Sequence, residues 1–453
     1  MAQTTGGLTG GAQLARTYDA ILDAQFDKIP ALLDQTCPPA PNEACQLLDV
    51  ISLWWQIQID PANRLRDPLF KSRVDAVIDA TRAWTEREPE RAEAWFYLGG
   101  AYGARVQWQV LRGNQVAAAR DGKRIKDALE QAIALDPNLQ DAYFGIGLYH
   151  YYADVAPPAA KLLRMLMFLP GGDREQGMEE MQRTRARGQL LRGEADYQLH
   201  VLYLWYEKQP EQAMELLRDL RDRYPHNPHF AERMAEIEDT YLHDPAAALR
   251  RYETLLRLAE RKTVAEPRLV AAVAHLGAAR QLEQLYESDA AVTHLRAILD
   301  AVPAASPAIV AEAQHQLAAV QHHLTDAAYR LSLEGWRSLE HGDLAAADRA
   351  LTQAMTLHAD DPVVRYRYAK LLFAQKRDED ALVVLAEIHK HGDTTPDTFY
   401  SLACVDAARV KERQGNVQEA IELYRSATRV FGGDRRVKND AARQLARLTT
   451  TAR

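Results

Sequence analysis

The residues of this chain with the strongest claim to chemistry are its cysteines and histidines. Cys37 and Cys45 bracket the phrase CPPAPNEAC, where prolines and an asparagine force a loop between two helical stretches. A bond between them closes a loop of about nine residues, worth roughly 2.5 kcal/mol in the chain-entropy treatment. Such a bond persists only in an oxidising compartment. The other reading is two small buried thiols that happen to be near each other. No histidine or further cysteine lies nearby to complete a zinc site. His315, His322 and His323 stand at i, i+7 and i+8 and share one helix face. Solvated surface is expected there and no metal is assigned. His389 and His391 flank a helix end, where positive charge suits the dipole. Cys404 falls on a packing position. HExxH, GxSxG and a P-loop are absent, as is GxGxxG in a strand–helix context. No catalytic residue, cofactor or metal is therefore expected.

Aromatic residues offer a binding surface instead. Six tryptophans lie in the first 205 residues: Trp54, Trp55, Trp84, Trp95, Trp108 and Trp205. The stretches around Tyr149–Tyr152 and Tyr203–Tyr206 place aromatics on more than one helix face. A groove lined by Trp108, Tyr149, Tyr152, Tyr203 and Tyr206 would grip an extended peptide or an apolar ligand. Trp84, Trp95 and Tyr143 read as core. The run Leu162–Leu169 is apolar apart from Arg164. It reads as a lid or contact patch, or as a short buried helix that Pro170-Gly171-Gly172 ends. It is too short to span a bilayer. Two basic clusters, RTRARGQLLRG from Arg183 and DRRVKNDAARQLAR from Asp434, alternate with acidic segments and read as solvated faces.

The elements that must position these residues repeat. Ala347, Leu351 and Ala354 are followed 34 residues later by Ala381, Leu385 and Ile388. Val77, Thr81 and Trp84 keep the same spacing, as do Ile125, Leu129 and Ala132. So do Ala213, Leu217 and Leu220, and Ala420, Tyr424 and Ala427. Small or apolar residues at these steps let paired helices approach closely. Gly99, Gly147, Gly277 and Gly335 mark the matching close approaches on the first helices. The spacing divides the chain into a flexible end (1–11), a helical cap holding the Cys37/Cys45 loop (12–69), a first array (70–303) with an insertion at 151–173, and a second array (304–453). Ala301–Ser306 reads as the junction between the arrays.

In WFYLGGAYGAR, residues Trp95, Leu98, Gly99 and Tyr102 match W-x2-L-G-x2-Y. Residues 70–430 thus resemble the tetratricopeptide repeat superfamily. The resemblance implies an all-α, right-handed α-solenoid of about eight or nine helix hairpins with a helical N-terminal cap. It also implies a concave groove that binds peptides or partner proteins. A narrower likeness covers residues 160–230, where LLRMLMFLPGGDREQGMEEM and ADYQLHVLYLWYEKQPEQAMELLRDLRDRYPHNPHF are similar to the tetratricopeptide repeat protein 39 group and bacterial relatives. That group implies no established chemistry. The lysine–asparagine spacing of the chaperone-binding subclass is absent.

A formal charge of −8 argues against a general phosphate-binding surface and against nucleic acid as a partner. No stretch approaches the roughly 20 apolar residues a membrane span needs, which leaves peripheral membrane contact open. MAQTTGGLTGGAQ lacks the basic start and apolar core of a signal peptide. The chain is then either cytoplasmic, or a periplasmic or secreted protein whose signal has been replaced by Met1; the paired cysteines favour the second. The expected function is a non-catalytic scaffold that binds a partner protein or peptide in the aromatic-lined groove, in the cell envelope. The alternative is a carrier of a small apolar or lipid-like ligand enclosed by the 151–173 insertion. Partner identity and oligomeric state have no signature in these residues.

Overall fold

The computed structural model describes residues 7–156, 171–301, 305–390 and 395–451, and every regular element among them is helical. The chain forms two compact units, Met1–Ala231 and Glu232–Arg453. Unit 1 opens with α1 (Gly11–Leu22), α2 (Ile29–Thr36) and α3 (Asn42–Ile59), followed by α4 (Asp67–Arg87). Hairpins follow: α5 (Ala92–Leu111) with α6 (Gln115–Leu135), α7 (Ala142–Val155) with α8 (Arg174–Arg187), and α9 (Arg192–Trp205) with α10 (Pro210–Arg223). The division between units falls inside α11 (Pro228–Thr240).

Unit 2 continues with α12 (Pro245–Glu260), α13 (Pro267–Gln284), α14 (Ser288–Leu299) and a single helix α15 (Pro307–His323). Three further hairpins are α16 (Ala327–Glu340) with α17 (Leu344–Leu357), α18 (Pro362–Ala374) with α19 (Asp378–Lys390), and α20 (Asp397–Arg413) with α21 (Val417–Thr428). The terminal helix α22 (Arg435–Thr451) covers the last hairpin. Leu295 and Ile298 of α14 share one core cluster with Ala313 and Val320 of α15.

Local chemistry explains where these helices start. Pro210, Pro245, Pro267, Pro307 and Pro362 each open a helix, where a missing N–H costs nothing. The side chains of Asp173, Asp244, Asp326, Asp343 and Asp361 accept from backbone N–H groups of the first turn that would otherwise lack partners. Hairpins close through a residue in the left-handed region two positions before the second helix. Gly113, Gly342 and Gly415 take this place with φ of 78°, 80° and 80°. Lys208, His243, Tyr286 and Lys376 take it with φ of 55°, 48°, 61° and 63°. A side chain is strained in that region and glycine is not.

The spacing read from the sequence is the packing. Ala213, Leu217, Leu220, Ala347, Leu351, Ala354, Ala381, Leu385 and Ile388 are all fully buried. Ile125 departs, being only half-buried in the lengthened α5–α6 hairpin. Helices α7 and α8 approach closely through their backbones. A Cβ on Gly177 would stand 2.6 Å from the Gly147 carbonyl oxygen and 2.6 Å from the Tyr151 nitrogen. Backbone atoms cannot rotate away, so only glycine fits.

Candidate functional site

Within unit 1, the N-terminal helices lie against the first helices of the hairpins, the face expected to form an open groove. Residues read as a flexible end are held there: the Thr9 N–H donates to Glu93 Oε1 at 2.7 Å, at the start of α5. Further along, the Tyr224 hydroxyl donates to Asp19 at 2.7 Å and the His226 N–H to Asp23 at 2.9 Å. Asn227 Nδ2 donates to the Leu22 carbonyl at 2.7 Å. The apolar side of α1 (Leu14, Tyr18, Ile21, Leu22) is buried. On α3, Trp55 is fully buried and meets Tyr197 of α9 edge-on at 5.1 Å and Phe230 of α11 at 5.7 Å. A disulfide joins Cys37 to Cys45 and ties α2 to α3. This part of the groove is therefore occupied by the chain itself.

Beneath α1 sits a buried carboxyl, Glu194, on α9. The Tyr18 hydroxyl donates to its Oε2 at 3.2 Å. Burial raises the Glu194 pKa to about 7, against the opposing pull of Gln198, Tyr18, Trp55 and Gln107. The Tyr18 phenol is pushed well up by burial and by Glu194. Nothing in the sequence pattern singled out Glu194, because a glutamate in the first helical turn ordinarily faces water.

The five aromatics expected to line one groove are only partly brought together. Tyr152 and Tyr206 meet edge-on at 5.6 Å, and each also packs against the buried Tyr151. The Tyr151 hydroxyl donates to Glu207, which the Arg174 guanidinium holds below the usual carboxylate range. Burial pushes the Tyr152 and Tyr206 phenols up. Tyr206 remains 40% exposed and its neighbour Trp205 57% exposed, so this corner presents aromatic surface to solvent. Tyr203, half-buried, instead accepts from Gln182 at 3.0 Å. Tyr149 lies edge-on to His150 at 6.1 Å. Trp108 lies elsewhere, stacked on Phe70 at 6.0 Å. Of the aromatics read as core, Trp84 is buried, whereas Trp95 and Tyr143 are half-buried. Trp205, at the end of α9, is the exposed member that the groove reading did not include.

The remaining candidate features are placed as follows. The Leu162–Leu169 run and His391 lie outside the described residues. His315 and His322 are exposed, while His323 stacks on Tyr329 at 4.1 Å. Burial pushes the Cys404 thiol up to about 12, away from nucleophile chemistry. In the first basic cluster, Arg183 lies over the Tyr143 ring at 3.6 Å and Arg185 donates to Asp196 at 2.5 Å. These residues line two adjoining open clefts of about 630 and 560 Å³ whose walls mix both signs of charge. In the second cluster Lys438 caps the carbonyls of Val430, Phe431 and Gly432. No group of three histidine, cysteine or acidic side chains suited to a metal occurs among the described residues. No helix among them is long and apolar enough to cross a membrane.

These observations define the class: an all-α solenoid of helix hairpins that carries its own helical cap. Residues 338–398, from the end of α16 through α19, match the family model for the tetratricopeptide repeat. Solved structures similar to this chain include the tetratricopeptide repeat domain of P58(IPK), at 13% identity over 90% of this chain and 99% of that one, with a TM-score of 0.29. A Rap protein in complex with Competence and Sporulation Factor aligns at 12% identity over 97% and 99%, with a TM-score of 0.30. Cut9 with Hcn1, from the APC/C, aligns at 9% over 96% and 89%, with a TM-score of 0.28. Superposition this poor adds nothing to what the hairpins themselves show. No curated protein matches the chain. The narrower likeness to the tetratricopeptide repeat protein 39 group draws no support from these comparisons.

Proposed function

We propose that this protein is a non-catalytic scaffold that binds a partner polypeptide through the aromatic corner of unit 1 and works in the cell envelope. The observation that carries the reading is the exposure of Trp205 and Tyr206 beside Tyr152, while Tyr151 below them is buried and anchored. Rigid aromatics with little conformational entropy to lose are the side chains that dominate protein interfaces. The Cys37–Cys45 bond supports a location outside reducing compartments.

The test is co-purification with the full chain carrying Trp205→Ala and Tyr206→Ala together. The variant is expected to fold and to lose a partner that the parent chain and Tyr206→Phe both retain. Retention of the same partner by the double variant overturns the reading. Partner loss by Tyr206→Phe as well would point to the hydroxyl rather than the ring.

A further inference from the structure

A second exposed apolar surface in unit 1 has a different character. Leu65 is 86% exposed, Val116 56%, Val110 49% and Leu69 45%. All four belong to two neighbouring turns, the α3–α4 loop with the start of α4, and the α5–α6 turn. The Arg112 side chain fastens the turns together, donating to the Pro61 carbonyl at 2.7 Å and to Asp67 Oδ1 at 2.8 Å. Asn63 accepts from the Leu65 N–H at 3.0 Å, which fixes the loop that presents Leu65. The apolar tips therefore sit on a held scaffold.

The charges around these tips are unbalanced. Arg64, Lys71 and Arg120 are exposed, and among the described residues their side chains make no ion pair or hydrogen bond. Arg120 lies one helical turn beyond Val116 on the same face of α6. Three acids of this end are already paired with arginine, Asp67 with Arg112 and Asp75 and Asp121 with Arg105, while Asp60 accepts from the neutral Asn63 amide. A chain of net charge −8 thus keeps three free cations beside four exposed aliphatic side chains. A protein partner would favour aromatic anchors at the centre of such a patch. Aliphatic tips ringed by unpaired cations match the chemistry of an anionic lipid surface, where chains enter the interface and cations meet headgroup phosphates.

We propose that the end of unit 1 formed by Leu65, Leu69, Val110 and Val116, with Arg64, Lys71 and Arg120, docks on an anionic bilayer. This surface shares no residue with the aromatic corner. The test is flotation of the full chain with vesicles of phosphatidylcholine containing phosphatidylglycerol, against vesicles of phosphatidylcholine alone. Binding is expected only to the anionic vesicles and to weaken as salt is raised. Arg64→Glu and Arg120→Glu should each weaken it about fivefold or more, the share of one surface cation. Leu65→Glu with Val116→Glu should abolish it. Because these side chains are exposed, melting temperatures of the variants should match the parent, which separates loss of docking from loss of fold. Absence of binding to anionic vesicles, equal binding to both kinds, or binding unchanged in the variants overturns the proposal. None of these outcomes bears on partner capture by Trp205 and Tyr206.

Discussion

Replacing Glu194 by glutamine should change how stability depends on pH, and the size of the change follows from the structure. The carboxyl is buried beneath α1, and its pKa is about 7 in the fold against 4.5 for the free side chain. Between those values the native state holds a proton that the unfolded chain has released. Stability therefore falls as pH rises through this window, and the loss is complete above the folded value. At 1.36 kcal/mol per unit, the loss amounts to about 3 kcal/mol by pH 8. Full burial leaves no solvent screening to discount it. Glutamine keeps the shape and cannot ionise. Its own cost, an amide N–H facing a site built for an acceptor, is the same at every pH. The assay is urea unfolding of parent and Glu194→Gln, followed by tryptophan fluorescence because Trp55 lies beside the carboxyl. Every other titrating group cancels in the difference. Relative to the parent, the variant should gain about 3 kcal/mol between pH 4.5 and pH 8. Parallel curves would refute the reasoning and would mean that Glu194 stays ionised in the fold.

Two further outcomes test the packing and the turns. Gly177→Ala should cost about 1–3 kcal/mol, because its Cβ meets the Gly147 carbonyl and the Tyr151 nitrogen and neither can rotate aside; an unchanged melting temperature would show that α7 and α8 stand further apart. Lys208→Gly and Lys376→Gly should each stabilise the protein by about 0.5–1 kcal/mol, since glycine relieves left-handed backbone at little packing cost. Denaturation midpoints measure this directly, and a loss in both variants would mean that the lysine side chains contribute more than the backbone strain.

The repeat was legible because its packing demands particular side-chain sizes at fixed steps. Ala347, Leu351 and Ala354 recur as Ala381, Leu385 and Ile388 and fill the same buried places. Gly147 signalled a close approach, although its partner Gly177 could not be named from spacing alone. The hairpin turns were legible only where glycine stands. Lys208, His243, Tyr286 and Lys376 adopt the same left-handed turn with no sequence mark, because the following cap and helix impose it.

The candidate sites depended on contacts between residues far apart in the chain. Periodicity assigns a side chain to a helix face but does not say what covers that face. Trp55 could be counted as an aromatic, yet its place against Tyr197 and Phe230 follows from helices that the chain brings together across more than a hundred residues. The same folding set Tyr152 and Tyr206 side by side and sent Trp108 to Phe70. Glu194 became buried because α1 lies over it, held through Tyr224 and Asn227. The sequence by itself determined the helices, their pairing and their small-residue seams, since these are set by neighbours within one or two repeats. Which surface remained open, and which was occupied by the cap, was decided only when the N-terminal helices docked, because that choice rests on long-range contacts that local spacing does not encode.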